Sequence, residues 1–312
     1  MTALMQRPRA PKRSNVVRWC ELRAAMLALL LGTAVPAAAF DFGKLIENVG
    51  KGDVDKLLET GKRVVAATRS MTEAEEIHLG RDLAGRLLGA MPPLRQAEAQ
   101  AYINRLGRWL TLQTTRPNLP WHFAIVTSDS LGAFATPGGH VLVTTALIRL
   151  MRDESELAGV LAHEIAHVIE RHHVEAVMKK ARAALARDVA ADVVADYTKG
   201  NPLVRNALLE GGMNLYASGL DQGDEFAADL TGVTIAARAG YDPFGLLMLL
   251  TTLDALDPAE PRASLLFATH PDTRERIERV AAAAASRLED YGTTLRDLER
   301  FDTLQAELAA QR

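Results

Sequence analysis

Cysteine is nearly missing from this chain. One, Cys20, occurs in 312 residues, which excludes a fold stapled by intrachain disulfides. Positive charge is not in excess either. The formal net charge is −3, and no basic stripe with interleaved aromatics is present, which argues against a nucleic-acid binder. No repeat of 30–40 residues is visible, and the stretch after His270 is too short for a stack of three repeats. The apolar run Ala24 to Val35 is 12 residues long, short of the roughly 20 that a membrane-spanning helix needs. Apolar content of 48% and charged content of 24% are ordinary for a globular protein.

What the N-terminus does contain is an export signal. Arg7, Arg9, Lys12, Arg13, Arg18 and Arg23 precede the apolar run, and Ala37-Ala38-Ala39 follows it. Basic, apolar and small-residue segments in that order read as a secretory signal over residues 1–39, with cleavage after Ala39. If kept, the same segment would serve as a membrane anchor. Those 39 residues hold six of the 36 basic and one of the 39 acidic residues, which leaves 30 against 38 and a net charge of −8. Cys20 leaves with them. An exported chain without cysteine is expected in the periplasm of a Gram-negative bacterium, where core packing and any metal must hold the fold.

The chemistry is concentrated in His163-Glu164-Ile165-Ala166-His167. Leu157, Val160, Leu161, Ile165, Val168 and Ile169 recur at helical spacing. Asp153 followed by Glu156 marks the start of the helix as a capping box. Positions i and i+4 share a helix face, so His163 and His167 can point at one ion. Glu164 is rotated by about 100° and can reach a water beside that ion. Two imidazoles and a carboxylate on the apolar side of a helix are unfavourable without a partner. A metal hydrolase site needs three protein ligands and an open position. Glu225, near the start of a later helix, is the candidate third ligand. Asp229, one turn on, is placed to accept a hydrogen bond from a ligating histidine.

Around this helix the pattern predicts an α+β chain, mostly helical, with a small sheet edge beside the active-site helix. Capping boxes at Thr72/Glu75 and Asp272/Glu275 open further helices. Trp121 to Val126 and His140 to Thr144, with the turn Pro137-Gly138-Gly139, read as a β-hairpin. Its edge would offer the backbone of His140, Val141 and Leu142 to a polypeptide bound as an extended strand. The organisation expected is a signal over 1–39, an N-terminal segment over 40–70, a catalytic domain over 71–288 and a charged, helical tail over 289–312. The Ala- and Val-rich stretch 174–217 reads as a helix pair or a lid.

Four motifs in order carry a resemblance to a known family: Ala133-Phe-Ala-Thr-Pro-Gly-Gly139, Glu156-Leu-Ala-Gly-Val-Leu-Ala-His-Glu-Ile-Ala-His167, Glu225-Phe-Ala-Ala-Asp229, and Thr269-His-Pro271 with Arg276-Ile277. Over about 70–285 the chain resembles the zinc peptidases of the CAAX prenyl endopeptidase and HtpX type, peptidase family M-forty-eight, and is most similar to its periplasmic branch. The resemblance implies a zincin-like (gluzincin) fold and one zinc ion per chain, held by His163, His167 and Glu225. It places Glu164 as general base, with His270 beside the metal as oxyanion partner or as occupant of the open position. Arg276 becomes a possible substrate contact, or the partner of Glu275 or Asp272. The implied function is a zinc metalloendopeptidase acting on unfolded or misassembled envelope proteins, associated with a membrane surface or the outer-membrane assembly machinery. The alternative is a catalytically restrained chaperone or binding protein on the same fold.

Overall fold

The computed structural model describes residues 70–185, 212–213, 216, 219–257, 260–270, 273–287 and 298–310. All of them lie in one compact unit, Thr60–Arg312. The expected signal, the segment 40–69 and most of 186–218 fall outside the described residues.

The chain begins with α1 (Glu73–Ala90), opened by the expected reciprocal box between Thr72 and Glu75. Then come α2 (Ala97–Thr111), β1 (His122–Val126), β2 (Ala133–Thr136), β3 (His140–Thr144) and α3 (Thr145–Leu150). The central helix is α4 (Glu154–Ile169). It is followed by α5 (His172–Leu185), α6 (Gln222–Arg238), α7 (Gly245–Asp254), α8 (Ser264–Thr269), α9 (Thr273–Arg287) and α10 (Leu298–Ala309). Asp153 caps α4 by accepting from the backbone N–H groups of Ser155 and Glu156. The Glu156 carboxylate does not close the box on Asp153. It accepts from the N–H of Arg152 and from the Arg152 guanidinium instead.

The sheet differs from the expected hairpin. Its order is β1-β3-β2. β1 and β3 run parallel, from His122↔His140 to Val126↔Thr144. The hairpin partner of β3 is β2, through a turn in which Gly138 and Gly139 take φ of 77° and 105°, values that favour glycine. So β3 is the middle strand, and His140, Val141 and Leu142 have backbone partners on both sides. They cannot receive an added substrate strand, which corrects that expectation. A near-continuous apolar run such as Val141-Leu142-Val143 suits a strand buried on both faces. The outer side of β1 is taken as well. Gln100 and Asn104 of α2 use their side-chain amides to exchange hydrogen bonds with the backbones of Ile125 and Phe123. Among the described residues, no strand pairs with the outer side of β2.

α4 lies at the centre of the core, buried from Glu154 to Val168. α6 crosses it so closely that a Cβ on Gly232 would stand 2.9 Å from the backbone nitrogen of His163. The charged tail does form a helix, but not a separate one. Phe301, Leu304 and Leu308 of α10 are buried in the main core. Gln305 donates to the carbonyls of Ile148 and Met151, and Arg149 donates to that of Leu308.

Candidate metal centre

α4 turns His163 and His167 to one side, with their Nε2 atoms 3.0 Å apart. Both residues are buried. Glu225 approaches from the first turn of α6, where the helix dipole favours a carboxylate. Its Oε2 is 3.6 Å from His163 Nε2, and its Oε1 is 3.5 Å from His167 Nε2. Asp229, one turn further along α6, brings Oδ1 to 2.9 Å from His163 Nδ1.

The other ring nitrogen of His167 has a partner that sequence reasoning missed. Arg171 takes φ 62° between α4 and α5, and the chain reverses to set His172 Nδ1 2.9 Å from His167 Nδ1. On its far side, His172 Nε2 is 3.2 Å from a carboxylate oxygen of Glu170. A carboxylate only accepts, so any hydrogen bond there is donated by His172 Nε2. His167 Nδ1 thus faces His172 as His163 Nδ1 faces Asp229, and both rings turn Nε2 toward Glu225. Burial first, then the neighbouring imidazoles, hold His167 well below the usual histidine range, so it is neutral. Glu225 Oε1 is buried and has no hydrogen-bond partner. The two Nε2 atoms and the Glu225 carboxylate thus converge within 3.0 to 3.6 Å of one another. That arrangement suits a cation and is unfavourable without one.

His270, at the C-terminus of α8, completes the group. Ligand atoms of His163, His167, Glu225 and His270 all lie within 4.8 Å of one another. His270 Nδ1 is 2.8 Å from Glu225 Oε2, and Nε2 is 3.8 Å from Glu164 Oε1. Burial works to lower the His270 pKa, but the Glu225 and Glu164 carboxylates outweigh it and raise it. Burial also raises the pKa of Glu164, with His270 and His163 opposing, which makes its carboxylate a readier proton acceptor.

Arg276 of α9 does not pair with Glu275, which faces Arg279 at 2.8 Å; Asp272 lies outside the described residues. Its fork closes on Asp229 at 2.8 and 2.7 Å, and Nη1 lies 3.4 Å from Glu225. All three nitrogens face carboxylates and the residue is 4% exposed. It is therefore a counter-ion to the acidic pair rather than a free contact for substrate. Against burial, His270, His163 and Arg276 draw the Glu225 pKa down to about 2. His140 stands apart from this group, stacked on His122 with ring centres 5.2 Å apart.

Two further residues at the site escaped the sequence. His173 is half-buried and stacks on Tyr216, with ring centres 5.2 Å apart. The Tyr216 hydroxyl donates to the Ala135 carbonyl of β2 at 2.8 Å. The pair His172-His173 so soon after His167 was a usable signal; Tyr216 had none.

Residues 93–284 match peptidase family M48. The chain belongs to that family. Within it, the chain is 30% identical over 238 residues to the β-barrel assembly-enhancing protease of Escherichia coli strain K12, covering 72% of this chain and 48% of the relative. It is 29% identical over 276 residues to the protein of that name from Yersinia pestis, covering 85% and 56%. The mitochondrial metalloendopeptidase OMA1 of Schizosaccharomyces pombe is 28% identical over 181 residues, covering 57% and 51%. The chain spans about half the length of the curated relatives it matches. The family read from four motifs is the family found. The mostly helical body with a small sheet agrees with the expected class. No described helix is long and apolar enough to cross a membrane.

Proposed function

We propose that this chain is a zinc metalloendopeptidase of zincin-like (gluzincin) fold, with the ion held by His163, His167 and Glu225. The observation that carries this is the convergence of buried ligand atoms of His163, His167 and Glu225 within 4.8 Å, with the outer histidine nitrogens facing Asp229 and His172. Two imidazoles and one carboxylate with a further position beside them form the donor set of hydrolytic zinc. When bound, zinc supplies polarisation of the scissile carbonyl and of the attacking water. Glu164 accepts the proton of that water and delivers it to the leaving amine. Asp229 and Arg276 orient His163 and balance the charge of Glu225. The outer edge of β2, where the Ala135 carbonyl already accepts from Tyr216, offers the backbone of Ala133 to an extended substrate.

The basic, apolar and small-residue pattern of residues 1–39 supports action in the periplasm. The relatives named β-barrel assembly-enhancing proteases support a proteolytic role tied to β-barrel assembly, and our reading adds unfolded or misassembled envelope proteins as the substrates, with contact to the outer-membrane assembly machinery or a membrane surface. A second reading, a restrained chaperone or binding protein, is favoured by one observation. His270 already lies among the donor atoms, where it can fill the position a water needs. Loss of cleavage in His270→Ala assigns it to oxyanion stabilisation; a gain assigns it to restraint.

The test is cleavage of casein by the mature, zinc-loaded chain. Glu164→Gln is expected to keep its zinc and lose at least about a hundredfold in rate. Glu225→Ala is expected to lose both zinc and cleavage. Equal cleavage by wild type and Glu164→Gln, or no zinc in the wild type, defeats the enzyme reading.

A further inference from the structure

Outside the metal group, one buried carboxylate takes no part in the proposed chemistry. Glu76, in the first turn of α1, is fully buried. Two arginines share it. Arg116, between α2 and β1, closes a fork on it, with Nη1 2.9 Å from Oε1 and Nη2 3.1 Å from Oε2. Arg171, between α4 and α5, sets Nε 3.2 Å from Oε2. Oε1 also accepts from the N–H of Gly138, in the turn between β2 and β3, at 3.3 Å. Desolvation offsets much of what such a buried group adds to stability, and its better-attested use is to fix one arrangement over others.

What Glu76 fixes is the end of the metal helix. Arg116 Nη1 donates to the carbonyl of Val168, the residue after His167, at 3.2 Å. The Arg171 N–H donates to the same carbonyl at 3.2 Å. Arg171 Nη2 donates to the Met71 carbonyl at 2.5 Å. Among the described residues other than glycine, Arg171 alone takes a positive φ. That backbone is unfavourable for a residue with a side chain and persists only where the surroundings hold it. Glu76 and Met71, which grip the guanidinium, are those surroundings. The reversal at Arg171 is also what returns His172 to 2.9 Å from His167. Had α4 continued through Arg171, His172 would lie about 140° around the helix from His167, and the two rings could not meet.

We infer that Glu76 is a positioning residue for the zinc ligand His167, acting through the reversal at Arg171 and the ring of His172. The inference rests on the zinc reading of the site and adds a residue that touches neither metal nor substrate.

The experiment strips the mature chain of metal and titrates it with zinc against a chelator of known affinity, with thermal melts alongside. Glu76→Gln leaves one accepting oxygen where the carboxylate has two, and is expected to weaken zinc binding about tenfold. In a His172→Ala background the same substitution is expected to change affinity by less than about twofold, because the route is already cut, while its fall in Tm persists in both backgrounds. Equal weakening of zinc binding in both backgrounds means a general loosening of the fold and overturns the proposal, as does full affinity in Glu76→Gln. Arg171 supplies a second reading if Glu76→Gln does not fold. Arg171→Gly and Arg171→Ala both lose the guanidinium, but only glycine takes a positive φ freely. The glycine variant is expected to bind zinc at least about threefold more tightly than the alanine variant, and equal affinities overturn the proposal. A wild type that binds no zinc overturns the metal reading itself, and the role of Glu76 with it.

Discussion

Each proposed ligand histidine depends on what its far nitrogen touches. His163 has Asp229, a full carboxylate, at 2.9 Å. His167 has only the ring of His172, which lies beside Glu170. His172→Ala is therefore expected to weaken zinc binding about 10- to 100-fold, with His172→Asn restoring part of it because an amide oxygen can accept from His167. A competition titration against a chelator of known affinity reads both; unchanged affinity in the alanine variant would refute the role. His140 matters in another way. Burial, then His122 and Arg81, lower its pKa from 6.5 to about 4. Between those values the unfolded chain binds more protons than the folded one. The His140 contribution is thus intact above pH 6.5 and is lost as pH falls toward 4. His140→Gln should show a smaller drop in Tm between pH 7 and pH 5 than wild type, measured by thermal melts at both values.

At the level of elements, the metal group is set by how closely α6 crosses α4. Glycine in a helix normally lowers stability by about 1 kcal/mol relative to alanine. At Gly232 the sign is expected to reverse, because the added Cβ would meet the His163 backbone at 2.9 Å and neither helix backbone can yield locally. Gly232→Ala should lose about 1–3 kcal/mol and should also weaken zinc binding, since Glu225 and Asp229 ride on the same helix. Denaturant melts with zinc titration measure both. A more stable variant with full affinity would show that the helices have room. The sheet teaches a related point. β3 has the pattern of a strand, but pattern does not say which strands lie beside it. The four-residue β2 took the open edge because β1 is covered by Gln100 and Asn104.

For the whole molecule, the lack of disulfides leaves apolar packing and the proposed metal as the sources of stability. The core draws on both ends of the described chain, with Leu79 and Leu83 of α1 and Phe301, Leu304 and Leu308 of α10 all buried. A metal that binds only the folded chain stabilises it by about 4 kcal/mol when present at a thousand times its Kd. For a domain of this size that corresponds to a fall in Tm of roughly 10 °C on removal. Chelation should lower Tm by about that amount while far-UV dichroism below the transition stays native, because α4, α6 and α7 pack through apolar contacts. An unchanged Tm would mean that no metal had been bound.

The sequence by itself determined what is local. The i, i+4 placement of His163 and His167 on a buried helix, the caps at Thr72 and Asp153 and the strand character of His140–Thr144 all follow from neighbouring residues, since helix and strand periods are properties of short stretches; the family came from the resemblance of four motifs to known peptidases. Glu225 and Asp229 were legible as a carboxylate pair one turn apart, once a metal was demanded. Only the tertiary structure decided which partners meet across long separations. It set Arg276 against Asp229, made β3 the middle strand and left β2 the open edge. It also folded the charged tail into the core and drew Arg116 and Arg171 together on Glu76. The physical reason is that packing compares every surface in the chain at once, whereas spacing sees only the next few residues. The metal helix could be read from five letters, but the second imidazole behind it, His172, had to be found in space.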